Sequence, residues 1–216
     1  MLKALVIKEL RELAGLVALA VLGAIYILGQ LTATPVVPWQ SNRLYHYPFV
    51  SDSSIFYFWL AAGGLAIALG LRQTAWELGQ GTYFFLLHRP ISRNRIFGLK
   101  LLIGGALAML FSALVILIYA WWAATPGQFP APFEWSMTTR AWIHWIALPP
   151  VYLGAFLSGI RPARWFGSRL APLMAAIGTA LLASYMPWFW AALALSLAVT
   201  VVFLVTISYY VQQRDY

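Results

Sequence analysis

Apolar residues recur at helical spacing from Met1 to Leu13. Leu2, Leu5, Val6, Leu10 and Leu13 fall on one face, while Lys3, Lys8, Arg11 and Glu12 crowd the other. This pattern predicts an amphipathic helix lying in a membrane interface. Residues 13–31 carry no charged side chain and read as a first membrane span. A signal sequence is the competing reading. Against it, Glu9 and Glu12 lie in what would be the basic leader, and the apolar run exceeds the roughly 7–15 residues usual there. Pro35, Pro38, Pro48 and Asn42 mark residues 32–54 as a loop.

Five more uncharged apolar runs follow, at residues 55–71, 101–122, 141–160, 170–186 and 188–211. The second carries Ala62, Ala66 and Gly70 at four-residue intervals, a small-residue stripe that lets two helices approach closely. Pro149 and Pro150 are expected to kink the fourth, and Pro187 to turn the chain between the fifth and sixth. The predicted fold is therefore all-α: a polytopic membrane protein with six transmembrane helices, an N-terminal interfacial helix, and one transmembrane domain over residues 1–216.

Composition supports this. Of 216 residues, 62% are apolar or aromatic and 9% charged, against about 45–50% and about 25% in soluble globular proteins. Six spans of about 20 residues would use about 120, so no catalytic or ATPase domain fits beside them. The charge of +8 would suggest nucleic acid in a soluble protein. Here its distribution matters more. Lys3, Lys8, Arg11, Arg72, Arg89, Arg93, Arg95, Lys100, Arg161, Arg164, Arg169 and Arg214 fall on the side of the predicted termini, and only Arg43 and Arg140 on the other. The positive-inside rule then places both termini in the cytoplasm of a cell membrane. Trp39, Trp121, Trp122, Trp142, Trp145, Trp188 and Trp190 gather near the predicted outer boundaries, as an aromatic belt does. Membrane lipids, not nucleic acid, are the expected surroundings. With no cysteine, disulfides and thiolate chemistry are excluded.

No Asp, Glu, Lys or Arg lies inside the six predicted spans, which argues against a carrier coupled to protons or sodium. His144, beside Trp142 and Trp145, reads as an interfacial hydrogen-bonding residue. His46 and His88 lie on opposite predicted faces, so the three histidines do not make one metal or haem site. There is no His-x-x-x-His pair, no Gly-x-Ser-x-Gly elbow and no P-loop. Catalytic, cofactor and metal residues are accordingly none, and the chain is not expected to be an enzyme.

The segment from Glu77 to Lys100 is the most informative. It runs through a glycine break, a short apolar stretch, a proline turn and a basic cluster, and so describes a short helix at the cytoplasmic face. In these residues the sequence resembles the membrane subunits of ABC transporters of type 2. Glu77, Gly81, Thr82, Leu86, Leu87, Pro90, Ser92, Arg93, Ile96 and Lys100 stand where that family's cytoplasmic motif has Glu, Gly-Thr, Leu-Leu, Pro, Ser-Arg and Lys. Lys8-Glu9-Leu10 and the six-span plan extend the resemblance along most of the chain. Phe84 replaces a frequent acidic residue, and Leu99 a frequent glycine, marking a divergent member.

The resemblance implies that residues 72–100 form a coupling helix seated in a separate ATP-binding subunit. Glu77, Gly81, Thr82, Leu86, Pro90, Ser92, Arg93 and Lys100 would carry the contact: Glu77 and Arg93 as polar partners, Gly81 as hinge and Pro90 as break. Arg161, Arg164 and Arg169 are candidates for a second cytoplasmic contact, or for lipid anchoring. It also implies two permease chains, identical or related, export as the direction, and ATP with Mg on the ATPase partner. Two rivals stay open: a non-transporting membrane anchor or assembly subunit, and a lipid-modifying membrane enzyme.

Overall fold

The computed structural model describes residues 2–32, 48–50, 52–80, 92–127, 132–162 and 165–213. Regular structure among them is entirely helical: α1 (Leu2–Leu31), α2 (Asp52–Leu71), a π-helical turn (Arg72–Trp76), α3 (Glu77–Gly79), α4 (Arg93–Ala124), a 3-10 turn (Trp135–Thr138), α5 (Thr139–Ile146), α6 (Leu148–Ile160), α7 (Phe166–Ser184) and α8 (Phe189–Gln213). Five stretches are long and apolar enough to cross a membrane by length and composition: Lys3–Leu31, Ile55–Gly79, Arg93–Ala124, Trp135–Ile160 and Phe189–Gln213.

The predicted interfacial helix and first span are one uninterrupted helix of 30 residues. At about 1.5 Å per residue, α1 reaches roughly 45 Å, well beyond a hydrocarbon core of about 30 Å. Its inward stripe also differs from the expected one. Leu5, Glu9 and Leu13 are buried at four-residue intervals, whereas Leu10 is 44% exposed.

Helix α6 forms the centre. Apolar all round, it is buried from Pro150 to Ile160, and 83% of the apolar window in Trp135–Ile160 is covered by the rest of the chain. The predicted kink occurs as a break at Ala147 (φ −85°, ψ −7°). Pro149 and Pro150 then occupy the first turn of α6, where a missing N–H leaves no intrahelical bond unmade.

Glycine sets the approach of neighbouring helices to α6. A Cβ on Gly70 would come within 2.7 Å of the Tyr152 carbonyl oxygen and 2.8 Å of Ala155 Cβ. The small-residue stripe Ala62–Ala66–Gly70 thus has its partner inside the same chain. On the other side of α6, a Cβ on Gly154 would meet Ala176 Cβ at 2.5 Å.

Exposed side chains on α1, α4 and α8 are largely apolar, including Leu19, Leu22, Leu110, Leu114, Val201 and Val205. Such continuous apolar faces suit lipid contact. At the end of the bundle away from the N-terminus, Phe49, Phe58, Tyr119 and Trp122 stack in a buried aromatic cluster, while Trp121, Trp188 and Trp190 are exposed there.

Candidate functional site

At the N-terminal end of the bundle, five elements meet on a buried polar cluster. Lys100 of α4, with no exposed surface, places Nζ 2.5 Å from Glu9 Oε1 of α1 and 2.6 Å from Glu77 Oε1 of α3. Gln73 in the π-helical turn donates to the Lys100 carbonyl oxygen (2.9 Å) and to Glu9 Oε2 (3.4 Å). Tyr152 of α6 completes the circle, its hydroxyl donating to Gln73 Oε1 at 2.6 Å and lying 3.2 Å from the Lys100 carbonyl oxygen. Lys8, half exposed at the edge, pairs with Glu12 at 3.2 Å and approaches Glu77 at 3.8 Å.

The local sequence explains the arrangement. In the π-helical turn an extra residue per turn rotates the following side chains relative to a continuous α-helix. Gln73, Thr74 and Glu77 consequently face inward, and Arg72 lies outside over the Trp76 ring at 4.8 Å. Thr74 satisfies the Gly70 carbonyl through its hydroxyl at 2.7 Å. Gly159 of α6 makes room for it: a Cβ there would overlap Thr74 Oγ1 and lie 2.8 Å from the Ala75 nitrogen. Gly104 does the same for the polar cluster, since its Cβ would overlap Gln73 Oε1 and the Tyr152 hydroxyl.

Lys100 is held by two carboxylates, and Glu9 and Glu77 each by its ammonium through a charged hydrogen bond, which is what a buried ion needs to offset its desolvation. Carboxylate oxygens of Glu9, Glu12 and Glu77 converge within 4.8 Å of one another, a spacing that a cation could bridge. The Lys100 ammonium binds two of these groups and the Lys8 ammonium the third. The cluster therefore ties helices together by charge.

Two of the expected contact residues lie inside the bundle. Glu77 and Lys100 are buried on each other, so in this conformation neither side chain faces an external subunit. Ser92 lies just before α4, where its carbonyl accepts from the Arg95 and Ile96 N–H groups at 3.0 and 3.3 Å. Arg93 is exposed beside it. Gly81, Thr82, Leu86 and Pro90 lie outside the described residues, as does Arg164.

Arg161 and Arg169 are bonded to backbone within the chain. Arg161 donates to the Ser168 carbonyl at 3.1 Å, which Pro172, four residues on, leaves without its helical donor. Arg169 donates to the Ser158 and Gly159 carbonyls at the end of α6, both at 3.2 Å. Both side chains thus cap helix ends while remaining partly exposed. His144 sits as expected, with Nδ1 3.1 Å from Ser184 Oγ.

Glu9, Gln73 and Tyr152 were not singled out by sequence reasoning. Glu9 had a legible signal, because it interrupts the Leu5–Leu13 stripe at four-residue spacing. For Gln73 and Tyr152 no comparable pattern exists, since the π-helical turn that aims Gln73 is not marked by proline or glycine.

Comparison with protein-family models, curated proteins and solved structures yields no match for the chain. Fold and site together define a class: an all-helical protein of the multi-pass membrane type, its helices joined at one end by a buried ion-paired cluster.

Proposed function

We propose that the chain is the permease subunit of an ATP-driven transporter of the type-2 ABC class, an exporter that works with a separate ATP-binding subunit and a second permease chain. In this reading α1, α2, α4, the α5–α6 pair, α7 and α8 provide six spans of the cytoplasmic membrane. Both termini and residues 72–100 lie in the cytoplasm. ATP and Mg2+ bind the partner, and this chain hydrolyses nothing itself.

The reading comes from the ordered residues between Glu77 and Lys100, and one observation supports it. The two roots of that segment, Glu77 and Lys100, are joined to each other at 2.6 Å, and Lys100 is joined to Glu9 at 2.5 Å. Displacement of the segment by an external motor would therefore be delivered to α1, α2 and α4 together, and through Gln73 and Tyr152 to α6. Rigid-body rocking of a span bundle requires such shared purchase. Glu77 and Lys100 act here as anchors of the coupling segment, and exposed Arg93 is the polar contact to the ATPase.

Purification of the tagged chain in mild detergent from its source cells should recover a P-loop ATPase in fixed ratio, with ATP hydrolysis. Arg93→Ala should lower that hydrolysis severalfold and leave membrane insertion unchanged. Recovery of the intact chain without an ATPase would favour the membrane-anchor reading. Hydrolysis indifferent to replacement of residues 81–91 by a Gly/Ser linker would remove the coupling assignment.

A further inference from the structure

An apolar groove of about 420 Å3 runs between α4 and α8 with α6 as its floor, lined by Gly98, Leu102, Gly105 and Met109 of α4, Leu153 of α6 and Leu204 of α8. This volume lies within the roughly 300–1,000 Å3 of small-molecule sites. The groove exists because two of its α4 positions are glycine. A Cβ on Gly98 would meet nothing within 4 Å, and one on Gly105 would only reach ordinary contact with the Tyr152 ring at 3.6 Å. Leu102 and Leu204 stand at its rim, 67% and 42% exposed.

We propose that this groove holds one acyl chain of an anionic phospholipid whose phosphate rests on Arg95. The proposal requires that the chain spans a membrane and is independent of any ATPase partner. Three features commit the groove to this occupant. First, its length is that of one leaflet: Gly98 to Met109 covers roughly 16 Å along α4, half of a hydrocarbon core of about 30 Å. It ends at Met109, whose carbonyl accepts from the Trp145 indole at 2.9 Å, so a helix running the full depth of the membrane is not accommodated.

Second, Arg95 continues the stripe Gly98–Leu102–Gly105–Met109 one turn beyond the open end, at the alternating three- and four-residue spacing that keeps one helix face. It is exposed. Third, that end of the bundle is the basic one. Lys3, Arg11, Arg72, Arg93 and Arg95 are there, whereas Arg140 is the basic residue of the opposite end among the described residues. Headgroup charge and groove polarity thus match, as for basic residues that recognise anionic lipids.

The test uses the full chain in nanodiscs of phosphatidylglycerol and phosphatidylcholine, extracted and weighed by native mass spectrometry. Wild-type protein should retain one phosphatidylglycerol. Arg95→Gln should lower its preference over phosphatidylcholine about fivefold, and Gly98→Leu, which fills the open end from the α4 wall, should lower retention of both lipids. Arg140→Gln should behave as wild type. Independently of any variant's folding, phosphatidylglycerol with a diazirine on its acyl chain should label peptides containing Leu102–Met109 and Thr200–Leu204 of the wild-type protein more heavily than the exposed face of α1 around Leu22. Equal labelling of these faces, or retention unchanged in both groove variants, overturns the proposal. Disulfide formation between chains at Leu102→Cys without lipid labelling would give the groove to a second copy and overturn it too.

Discussion

Lys100→Met is expected to destabilise the protein by roughly 3–5 kcal/mol. The substitution keeps volume but removes the ammonium on which Glu9 and Glu77 converge at 2.5 and 2.6 Å. Two carboxylates would then face each other, almost without solvent, at 1% and 4% exposure. The loss should be measured as a fall in the temperature at which detergent-solubilised protein disappears from its monodisperse chromatographic peak. Combining the change with Glu9→Leu and Glu77→Leu should recover most of it, because replacing a whole buried ion set by apolar side chains is often neutral. On the proposed permease reading, the triple variant also separates stability from coupling. If the cluster serves only to hold helices together, ATP hydrolysis by the purified assembly recovers with the fold. If it transmits motion from the 72–100 segment, the protein is stable and uncoupled. A single Lys100→Met variant as stable as wild type would show that the ion pairs contribute nothing.

Gly159→Ala and Gly70→Ala should each cost about 1–3 kcal/mol, an overpacking penalty with nowhere to relax. The added methyl at position 159 would overlap Thr74 and press on the Ala75 nitrogen at 2.8 Å. At position 70 it would meet the Tyr152 carbonyl oxygen at 2.7 Å and the Phe156 nitrogen at 2.9 Å. Backbone atoms of a buried helix are the least able to give way. Gly63→Ala, on the same helix but with open space around its Cβ, should be neutral or stabilise by about 0.5–1 kcal/mol through higher helix propensity. Thermal unfolding of the three variants side by side checks the contrast. Equal effects at positions 63, 70 and 159 would refute the close-approach account.

The difference between sequence reading and structure is sharpest at the span edges. Uncharged runs marked the apolar helices well, because a continuous stretch of such residues has few stable alternatives to helix in lipid. Edges were less legible. Residues 2–13 and 13–31 differ in pattern, yet hydrogen bonding continues through Leu13 and joins them into α1. Glu9, Glu77 and Lys100 all fall outside the predicted spans, and so read as outward-facing, Glu9 in an interfacial helix and Glu77 and Lys100 as contacts to a partner subunit. Their burial depends on α1 and α4 extending past the apolar windows and packing on the π-helical turn, an arrangement involving residues 23 to 91 positions apart. Arg161 and Arg169 likewise read as a cytoplasmic contact or a lipid anchor, and the carbonyls that they bind near Pro172 and at the end of α6 are not legible in the sequence.

By itself, the sequence determined that the chain is helical, apolar beyond the needs of a soluble core and basic at one end. Each of these follows from composition and local spacing, which act residue by residue. Tertiary structure alone decided where the few charges go. Whether a glutamate at a span edge meets water or a lysine depends on which distant helix arrives beside it, and the glycines at 70, 104 and 159 fix that approach to within the width of a methyl group.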